Sequence, residues 1–515
     1  MVKIFIDERE LDVAMGTTIL KAAEGAGLRI PHLCYHKAFM PEGTCRMCLV
    51  EIEGIPKLEL ACSTQVRDGM KISTKSDRVR EARKGVLEFL LADHPIDCPI
   101  CDKAGECKLQ DYYEEYGSFD SEFNEAKEKR QKRIDIGKNL LHDQERCVLC
   151  RRCVRFLAEV TKTEELGVFQ RGNHSVVSTN DGVMIDNNYS GNLAEICPVG
   201  AITDKDFRFK TRTWFLQSHE SICPLCSRGC NIYVESHQGF SRFQIPKRVY
   251  RIRTRENQMI NGFWICDKGR YDYAYLDQER LDEITVNNSH NSPSWPEITS
   301  LVAGEIGRLY HMKRSDHIGI ILQSWLSNEE LFLIDKIFRN DLHIEKICFL
   351  DPPDEEADDF LFTGECTPNR RGAKEIGFDV LPAWENFFED LDLLLVFGSP
   401  LMGKSDTGPL KASLDKIEKK ILIASQNHEI NSSFDIVLPM SLIAEKEGSL
   451  TNVVGSVQNF YPALDAPGDC KPTWHFLVEL AKKLTINFDF YSQFSSPESI
   501  QEEMKKEILF FREEQ

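Results

Sequence analysis

Cysteine is the residue that most constrains this chain. The sequence has 18 cysteines in 515 residues, and all but three lie in closely spaced groups that end at Cys266. The N-terminus lacks the basic and apolar segments of an export signal, so we expect a reducing compartment and no disulfides. Tight cysteine groups in such a protein predict metal sites. The three scattered residues, Cys348, Cys366 and Cys470, are expected to be free core cysteines.

The first cysteine group lies in a segment with the pattern of a small α+β domain, residues 1–75. Its spacing is Cys34-x10-Cys45-x2-Cys48-x13-Cys62. The runs VKIFI and RELDVA predict two strands, and TTILKAAEGAG predicts a helix with Thr17 as its N-cap. One Cys-x2-Cys pair with two single cysteines favours a 2Fe–2S cluster over zinc, which stays as the alternative.

The second group is short of one cysteine. Its spacing is His94-x3-Cys98-x2-Cys101-x5-Cys107. His94 is either the fourth ligand or a structural histidine beside an unidentified fourth cysteine, and zinc held by three cysteines and one histidine is the rival chemistry. Residues 76–137 are predicted to be helical, because DRVREARKGVLEFLLADH has apolar residues at helical spacing. The charged run EAKEKRQKR (125–133) is interpreted as a solvated helix face or a connector without a function.

The third group, within residues 138–215, has the pattern of a bacterial ferredoxin. In two-cluster ferredoxins each run C-x2-C-x2-C-x3-C-P gives its fourth cysteine to the other cluster. The ligands of one such cluster are all present, at Cys147, Cys150, Cys153 and Cys197. The corresponding positions of the other cluster hold Leu157, Asn187, Ser190 and Leu193. This pattern indicates a former two-cluster ferredoxin that retains one 4Fe–4S cluster, and zinc does not explain it.

The fourth group precedes a change in the character of the chain. Its spacing is Cys223-x2-Cys226-x3-Cys230-x35-Cys266, which favours a 4Fe–4S cluster with zinc as the alternative. In residues 216–515, strand-like runs such as IGIIL, KICFL, LLLVF and KILIA alternate with helical segments, one of which has the capping box Ser327-x-x-Glu330. This alternation predicts an α/β sheet with mostly parallel strands.

Composition and motifs exclude several classes of function. The net charge of −19 argues against nucleic acid as a partner. No apolar run approaches the ~18 residues of a membrane span, so we expect membrane contact only through partner proteins. The segment GSPLMG (398–403) does not match the dinucleotide-binding pattern GxGxxG, and no catalytic triad or carboxylate pair stands out. Iron–sulfur clusters pass single electrons, so the chain is predicted to conduct electrons and to have no catalytic site of its own.

The order of these groups resembles a known family, the large iron–sulfur subunit (the G subunit) of bacterial NADH–quinone oxidoreductase, respiratory complex I. The segments that carry the resemblance are GTTILKAAEGAGLRIPHLCYH, GTCRMCLVEIEG, HPIDCPICDKAGEC, CVLCRRCVRF and EICPVGAI. It covers residues 1–270 closely. Residues 434–458 and the sequence CDKGRY at Cys266 are similar to molybdopterin oxidoreductases. The α/β region is short for such an enzyme and the surroundings of Cys366 do not resemble a molybdenum site, so no molybdopterin is expected.

The resemblance implies a multidomain α+β and α/β fold. A β-grasp 2Fe–2S ferredoxin is followed by a helical 4Fe–4S domain with one histidine and three cysteine ligands, a single-cluster 4Fe–4S ferredoxin-like domain, and a molybdopterin-oxidoreductase-like domain with a 4Fe–4S site at residues 216–270. The four cysteine groups then hold one 2Fe–2S and three 4Fe–4S clusters, with His94 as a ligand. No residue is expected to be catalytic, and the chain itself is expected neither to bind NADH nor to reduce quinone.

The resemblance also implies an electron relay. Electrons come from an NADH- and FMN-binding flavoprotein subunit with a small 2Fe–2S partner, enter at the first group, pass the third and second, and leave to a two-cluster ferredoxin-like subunit. The fourth group resembles one that lies off this route. The expected location is peripheral, on the cytoplasmic side of the plasma membrane within a proton-pumping complex. The alternatives are an electron-transfer subunit of a soluble NAD-linked formate dehydrogenase or hydrogenase, and a zinc-stapled scaffold.

Overall fold

The structure is a computed structural model. It describes residues 1–117, 123–237, 248–287, 293–379, 387–398 and 413–512. The chain divides into two compact units, Met1–Leu216 and Gln217–Gln515. Apart from Gly398, the segment GSPLMG lies outside the described residues.

The N-terminal domain is a five-stranded mixed sheet with one helix, as predicted for a small α+β ferredoxin. The strands are β1 (Val2–Ile6), β2 (Arg9–Val13), β3 (Leu49–Ile52), β4 (Glu59–Leu60) and β5 (Lys71–Ser73). Their order is β2-β1-β5-β3-β4, with β1 parallel to β5. The β-grasp arrangement packs the alternating apolar residues of β1, including Ile4 and Ile6, against the helix α1 (Ile19–Gly25).

The cap of helix α1 differs from the sequence prediction. The N-cap is Thr18, whose hydroxyl accepts a bond from the backbone N–H of Lys21, and the prediction of Thr17 was wrong by one residue. The carbonyl of Thr17 instead accepts a bond from the N–H of Val66. Thr17 and Thr18 have the same side chain, so the local sequence does not distinguish them as N-caps. The bond between Thr17 and Val66 lies outside the helix and is the difference between the two positions.

The rest of the first unit consists of short elements. The helices are α2 (Asp77–Leu91), α3 (Lys108–Tyr116), α4 (Arg152–Arg155) and α5 (Asn192–Ile196). The strands are β6 (Ile134–Gly137), β7 (Leu140–His142), β8 (Leu166–Phe169), β9 (Val176–Thr179) and β10 (Ile202–Asp204). Strand β7 lies between β10 and β6, so this sheet begins ahead of residue 138, and β8 pairs with β9. The charged segment 125–133 contains no helix and is a connector.

The second unit begins with a three-stranded sheet in the order β11-β12-β13. These strands are β11 (Leu216–Ile222), β12 (Asn231–His237) and β13 (Val249–Thr254). The short helix α6 (Asp267–Tyr271) follows, with Cys266 as its N-cap. The β11–β12 connection and the start of α6 thus present the cysteines of the fourth group.

The main sheet of the second unit has the predicted parallel strands. It contains β14 (Thr285–Val286), β15 (Ile318–Leu322), β16 (Ile347–Phe349), β17 (Leu393–Phe397), β18 (Lys419–Ala424) and β19 (Ile436–Pro439). The order is β14-β19-β18-β17-β15-β16, in which only the edge strand β14 is antiparallel to its neighbour. All residues of β15 and β17 are buried, as expected for parallel strands covered on both faces.

Helices cover this sheet, and a hairpin adds a buried polar strand. The helices are α7 (Trp295–His311), α8 (Asn328–Ile334), α9 (Arg370–Ile376), α10 (Thr473–Leu484), α11 (Phe488–Ser492) and α12 (Pro497–Glu507). The hairpin pairs β20 (Gly448–Thr451) with β21 (Val457–Phe460). The capping box of Ser327 and Glu330 at the start of α8 is confirmed. Within the described residues, no helix is both long and apolar enough to cross a membrane.

Candidate metal centres

The first site comprises the buried thiols of Cys34, Cys45, Cys48 and Cys62. They form two pairs, because Cys34 contacts Cys45 through a thiol hydrogen bond and Cys48 contacts Cys62 in the same way. The bond from Cys45 lowers the pKa of Cys34 to about 5. The N–H of Leu33 lies 3.4 Å from Cys45 Sγ. Two pairs of thiols fit a 2Fe–2S cluster, in which each iron takes two protein ligands.

The second site comprises His94, Cys98, Cys101 and Cys107, which line one small cavity. The Nδ1 atom of His94 is buried without a hydrogen-bond partner among the described residues. Burial lowers the pKa of the His94 imidazole to about 4, so the ring is neutral at neutral pH and has a nitrogen lone pair to give. This environment fits a ligand histidine.

Two basic side chains hold the His94 loop in place. Lys127 Nζ donates to the carbonyl oxygens of Leu91 and His94 at 2.7 and 2.8 Å. Arg146 donates from Nε and Nη2 to Asp97 at 3.2 and 2.9 Å. Lys127 belongs to the charged connector, to which the sequence analysis gave no function. One lysine in a run of charged residues does not reveal such a role in the sequence. The contact forms only when the connector folds back onto the His94 loop.

A glycine joins the second site to the third. A Cβ atom on Gly200 would lie 2.1 Å from Cys101 Sγ, so only glycine lets the chain pass this close to the thiol. Gly200 stands three residues after Cys197, a predicted ligand of the third site. The carbonyl of the intervening Pro198 accepts a bond from the N–H of Lys108, next to Cys107.

The third site brings together the four cysteines that the ferredoxin pattern selected. Burial and then the proximity of Cys150, Cys147 and Cys197 raise the pKa of Cys153 well above its usual value, so the four thiols lie near one another. Burial raises the pKa of Cys147 to about 12 and that of Cys150 to about 11, so a bound metal must displace their protons. The residues on either side of Cys150 adopt the left-handed conformation, with φ of 51° at position 149 and 61° at position 151. The loop thereby curls around a common centre.

The former ligand positions of the second ferredoxin cluster are occupied by ordinary structural residues. Leu157 and Leu193 are fully buried. The Ser190 hydroxyl accepts a bond from Asn139 at 3.2 Å, and Asn187 donates to Glu165 at 2.9 Å. The space is therefore filled by apolar side chains and satisfied polar groups.

Two buried arginines connect the third site with the first. Arg152 donates to the carbonyl oxygens of Tyr35 and Ile196, and Arg155 donates to that of Cys34 at 2.5 Å. Both arginines lie on helix α4, which begins within the cysteine run. Their role was not predicted from the sequence, although both arginines lie within two residues of Cys153.

The fourth site, in the second unit, comprises Cys223, Cys226, Cys230 and Cys266. The charges of the other three act on Cys230, so the predicted set is brought together. Cys266 Sγ accepts a bond from the N–H of Gly269 at 3.3 Å. A Cβ atom on Gly269 would lie 3.1 Å from Cys223 Sγ. Helix α6 thus approaches two of the thiols at a residue without a side chain.

The scattered cysteines have different surroundings. Cys348 is a core residue of the main sheet, as expected, whereas Cys470 is half-buried and donates to the carbonyl of Leu281. Cys366 belongs to a small buried cluster with Cys226 and Phe362, and its Sγ lies 3.7 Å from Lys268 Nζ. Among the described residues, no group of three or more His, Cys, Asp or Glu side chains is close enough together to hold one metal ion.

Comparison with protein families matches five segments of the chain. The matches are a 2Fe–2S iron–sulfur cluster binding domain (1–77), the NADH-ubiquinone oxidoreductase-G iron–sulfur binding region (83–122), the ferredoxin-like domain of NADH-quinone oxidoreductase subunit 3 (137–203), the molybdopterin oxidoreductase Fe4S4 domain (216–278) and molybdopterin oxidoreductase (369–483). The chain therefore carries 2Fe–2S and 4Fe–4S binding domains and part of a molybdopterin oxidoreductase domain.

Curated relatives agree with these matches. The G subunit of NADH-quinone oxidoreductase from Rickettsia bellii is 40% identical over 308 residues, which are 59% of this chain and 44% of the relative. That of Rickettsia felis is 38% identical over 341 residues, 66% of this chain and 49% of the relative. This chain is a homologue of the G subunit of NADH-quinone oxidoreductase. The resemblance inferred from the cysteine pattern is thus confirmed.

A relative with a different name is also similar to this chain, and the similarity covers only part of each relative. The NADH-ubiquinone oxidoreductase 75 kDa subunit of Reclinomonas americana is 37% identical over 349 residues, which are 67% of this chain and 49% of the relative. The chain spans about half the length of the curated relatives it matches. A crystal structure of an NAD+-reducing [NiFe]-hydrogenase has a chain that is 33% identical, with a TM-score of 0.38 over 41% of this chain and 90% of that chain.

Proposed function

We propose that the chain is an electron-relay iron–sulfur subunit of an NADH–quinone oxidoreductase complex. The observation that carries this proposal is the continuity of three cysteine sites within the first unit. Arg152 joins the first site to the third, and the segment from Cys197 to Gly200 joins the third site to the second. A scaffold stapled by separate metal ions does not require such connections.

The proposed ligands are the sixteen residues of the four sites. The first site holds a 2Fe–2S cluster and the other three hold 4Fe–4S clusters, which accept and pass single electrons when bound. The residues themselves provide thiolates, one neutral imidazole and burial. The Nδ1 atom of His94 is buried, whereas Cys98 is exposed at the surface. The connected order of the sites is first, third, second, and an exposed ligand at the second suits an exit to a partner protein.

The remaining parts of the proposal rest on the family resemblance of the sequence. The partners are an NADH- and FMN-binding flavoprotein subunit with its small 2Fe–2S protein, a two-cluster ferredoxin-like subunit and other peripheral subunits of the complex. The chain is placed peripherally on the cytoplasmic side of the membrane and holds no molybdopterin. Four domains, 1–75, 76–137, 138–215 and 216–515, carry one site each. The relatives' names support membership of an oxidoreductase that acts on NADH and a quinone.

The ligand role of His94 is tested by the variant His94→Cys. A thiolate adds one negative charge relative to the neutral imidazole, so reduction of that site becomes less favourable. We expect the variant to keep its iron and sulfide, and a redox titration followed by EPR to show a lower midpoint potential for one signal only. The variant His174→Cys, at an exposed histidine, is the control. An unchanged potential in His94→Cys with intact iron content contradicts ligation by His94.

The function itself is tested by isolating the tagged chain from mildly solubilised membranes. We expect a complex that oxidises NADH, and we expect NADH to reduce the EPR signals of this chain. A soluble assembly that oxidises formate or hydrogen contradicts the proposal and favours the alternative class. A chain that purifies with zinc and without sulfide contradicts both.

A further inference from the structure

Arg152 bonds to the backbone beside ligands of two different sites. Its Nη2 donates to the carbonyl of Tyr35, the residue after Cys34, and its Nη1 donates to the carbonyl of Ile196 at 3.2 Å, the residue before Cys197. The planar guanidinium can hold two such acceptors at a fixed separation, which a lysine cannot do as rigidly. One side chain therefore fixes the ligand loops of the first and third sites relative to each other.

The charge of Arg152 acts on both sites at close range. The residue is 5% exposed. The thiols whose charges act on its guanidinium belong to both sites, namely Cys34, Cys45, Cys150 and Cys197. The Nε–H of Arg152 is buried and has no acceptor among the described residues. A buried donor without an acceptor is costly, and sulfur atoms of a bound cluster are the kind of acceptor that would satisfy it.

We infer that Arg152 is a positioning residue shared by the first and third sites, which fixes their spacing and raises the reduction potentials of both. The inference rests on the proposed function, because it requires iron–sulfur clusters at these cysteines. A cluster gains one negative charge on reduction, and a buried cation stabilises that form more strongly than a solvated cation would. Because Arg152 faces both ligand sets, its removal should affect the two sites together.

The charge effect is tested in the full chain with Arg152→Gln. We expect the midpoint potentials of the 2Fe–2S signal and of one 4Fe–4S signal to fall together. The expected change is at least tenfold in the reduction equilibrium, about 59 mV for a one-electron couple. Arg152→Lys keeps the charge and should restore most of both potentials. Unchanged potentials in Arg152→Gln with intact clusters, or a shift of one signal alone, would overturn the inference.

Two arginines serve as controls. Arg83 is at least as buried as Arg152 and also donates to backbone carbonyls, those of Thr74 and Leu49, but among the described residues it makes no bond to the third site. Arg83→Gln should leave the 4Fe–4S potentials unchanged, and Arg171→Gln, at an exposed position, should leave all potentials unchanged. If Arg83→Gln lowers the same 4Fe–4S potential as Arg152→Gln, general loosening explains the effect and the inference is wrong.

The spacing effect is tested separately, which covers a failure of Arg152→Gln to assemble. In Arg152→Lys we expect faster amide hydrogen exchange in residues 33–36 and 195–198 together, since one ammonium replaces the two-pronged bridge. Equal protection in Arg152→Lys and the unmodified chain contradicts the bridging role. An unmodified chain without iron–sulfur signals would disprove the proposed function instead, so the two failures are distinguishable.

Discussion

The cysteine sites of the first unit and the main sheet of the second unit are ordered by different interactions. In the sheet, every residue of β15 and β17 is buried, and a large apolar cluster joins the sheet to its helices. Between residues 98 and 204, the elements are only three to nine residues long, and the buried residues include Arg146, Arg152 and Arg155. Hydrophobic burial therefore orders most of the sheet without a bound group, whereas the cysteine region places cations where bound clusters would supply negative charge.

This difference predicts the largest effect, the response to removal of iron. Anaerobic chelation should leave the buried thiols of the first unit without the metal that they bind, and metal-dependent regions lose structure when the metal is removed. By hydrogen exchange, we expect residues 94–107 and 147–200 to lose protection while β15 and β17 keep theirs. Equal loss of protection in β15 and β17 would show that the two regions depend on iron to the same extent.

The second unit contains a buried ion pair that depends on no bound cluster, and it tests the comparison independently. Lys446 Nζ lies 2.5 and 2.6 Å from the two carboxylate oxygens of Glu330, and both residues are buried. Lys446→Met leaves Glu330 unpaired and should lower the free energy of unfolding of this unit by about 3–5 kcal/mol. The EPR signals of the first three sites should not change.

An exposed ion pair provides the matched control for Lys446. Lys505 lies 3.1 Å from Glu502, and both side chains are at least half exposed. Lys505→Met should change stability by no more than about 1 kcal/mol in urea denaturation. A similar loss in both variants would show that burial of the Lys446 pair is not what matters.

A buried histidine makes the first unit sensitive to acid. His142 on β7 has no partner for either ring nitrogen among the described residues, and burial lowers its pKa from 6.5 to about 4. The unfolded chain therefore protonates this histidine near pH 6.5, whereas the folded chain protonates it only near pH 4. The free energy of unfolding consequently falls as the pH falls through this window. Between pH 7.5 and 5.5 the loss should be about 1 kcal/mol.

The variant His142→Leu isolates this effect. It removes the titrating group, so the difference in urea midpoint between pH 7.5 and 5.5 should become smaller than in the unmodified chain. His174→Leu, at an exposed histidine, should keep the original difference. If His142→Leu retains the full pH dependence, other groups of the first unit are responsible.

The smallest effect concerns the helix cap in the N-terminal domain. Thr18→Ala removes the hydroxyl that accepts from Lys21 at 3.4 Å and should cost about 0.5–1 kcal/mol. Thr17→Ala should cost less, since the contact of Thr17 with Val66 uses its backbone carbonyl. A larger loss in Thr17→Ala, measured by thermal unfolding, would restore Thr17 as the cap.

Local sequence patterns predicted much of the fold and the membership of the sites. Short strand-like runs predicted β1 and β2, and longer apolar runs predicted β15 and β17. Cysteine spacing predicted groups that the structure brings together. These features depend on residues close in sequence or on a chemically rare side chain. The ligand roles, including that of His94, remain predictions.

Other features depend on contacts between distant parts of the chain. The bond of Lys127 to the His94 carbonyl, the passage of Gly200 beside Cys101 and the bridge made by Arg152 all join segments far apart in sequence. Lysine, glycine and arginine are common, so their sequence positions do not distinguish these roles. The choice between the two neighbouring threonines at the start of α1 depended in the same way on a distant backbone partner.

Metal analysis of the anaerobically purified chain decides whether the cysteine sites hold iron–sulfur clusters. We expect iron and acid-labile sulfide in amounts that match one 2Fe–2S and three 4Fe–4S clusters, with EPR signals that appear on reduction. Zinc at about one ion per cysteine group, without sulfide and without EPR signals, would contradict this expectation.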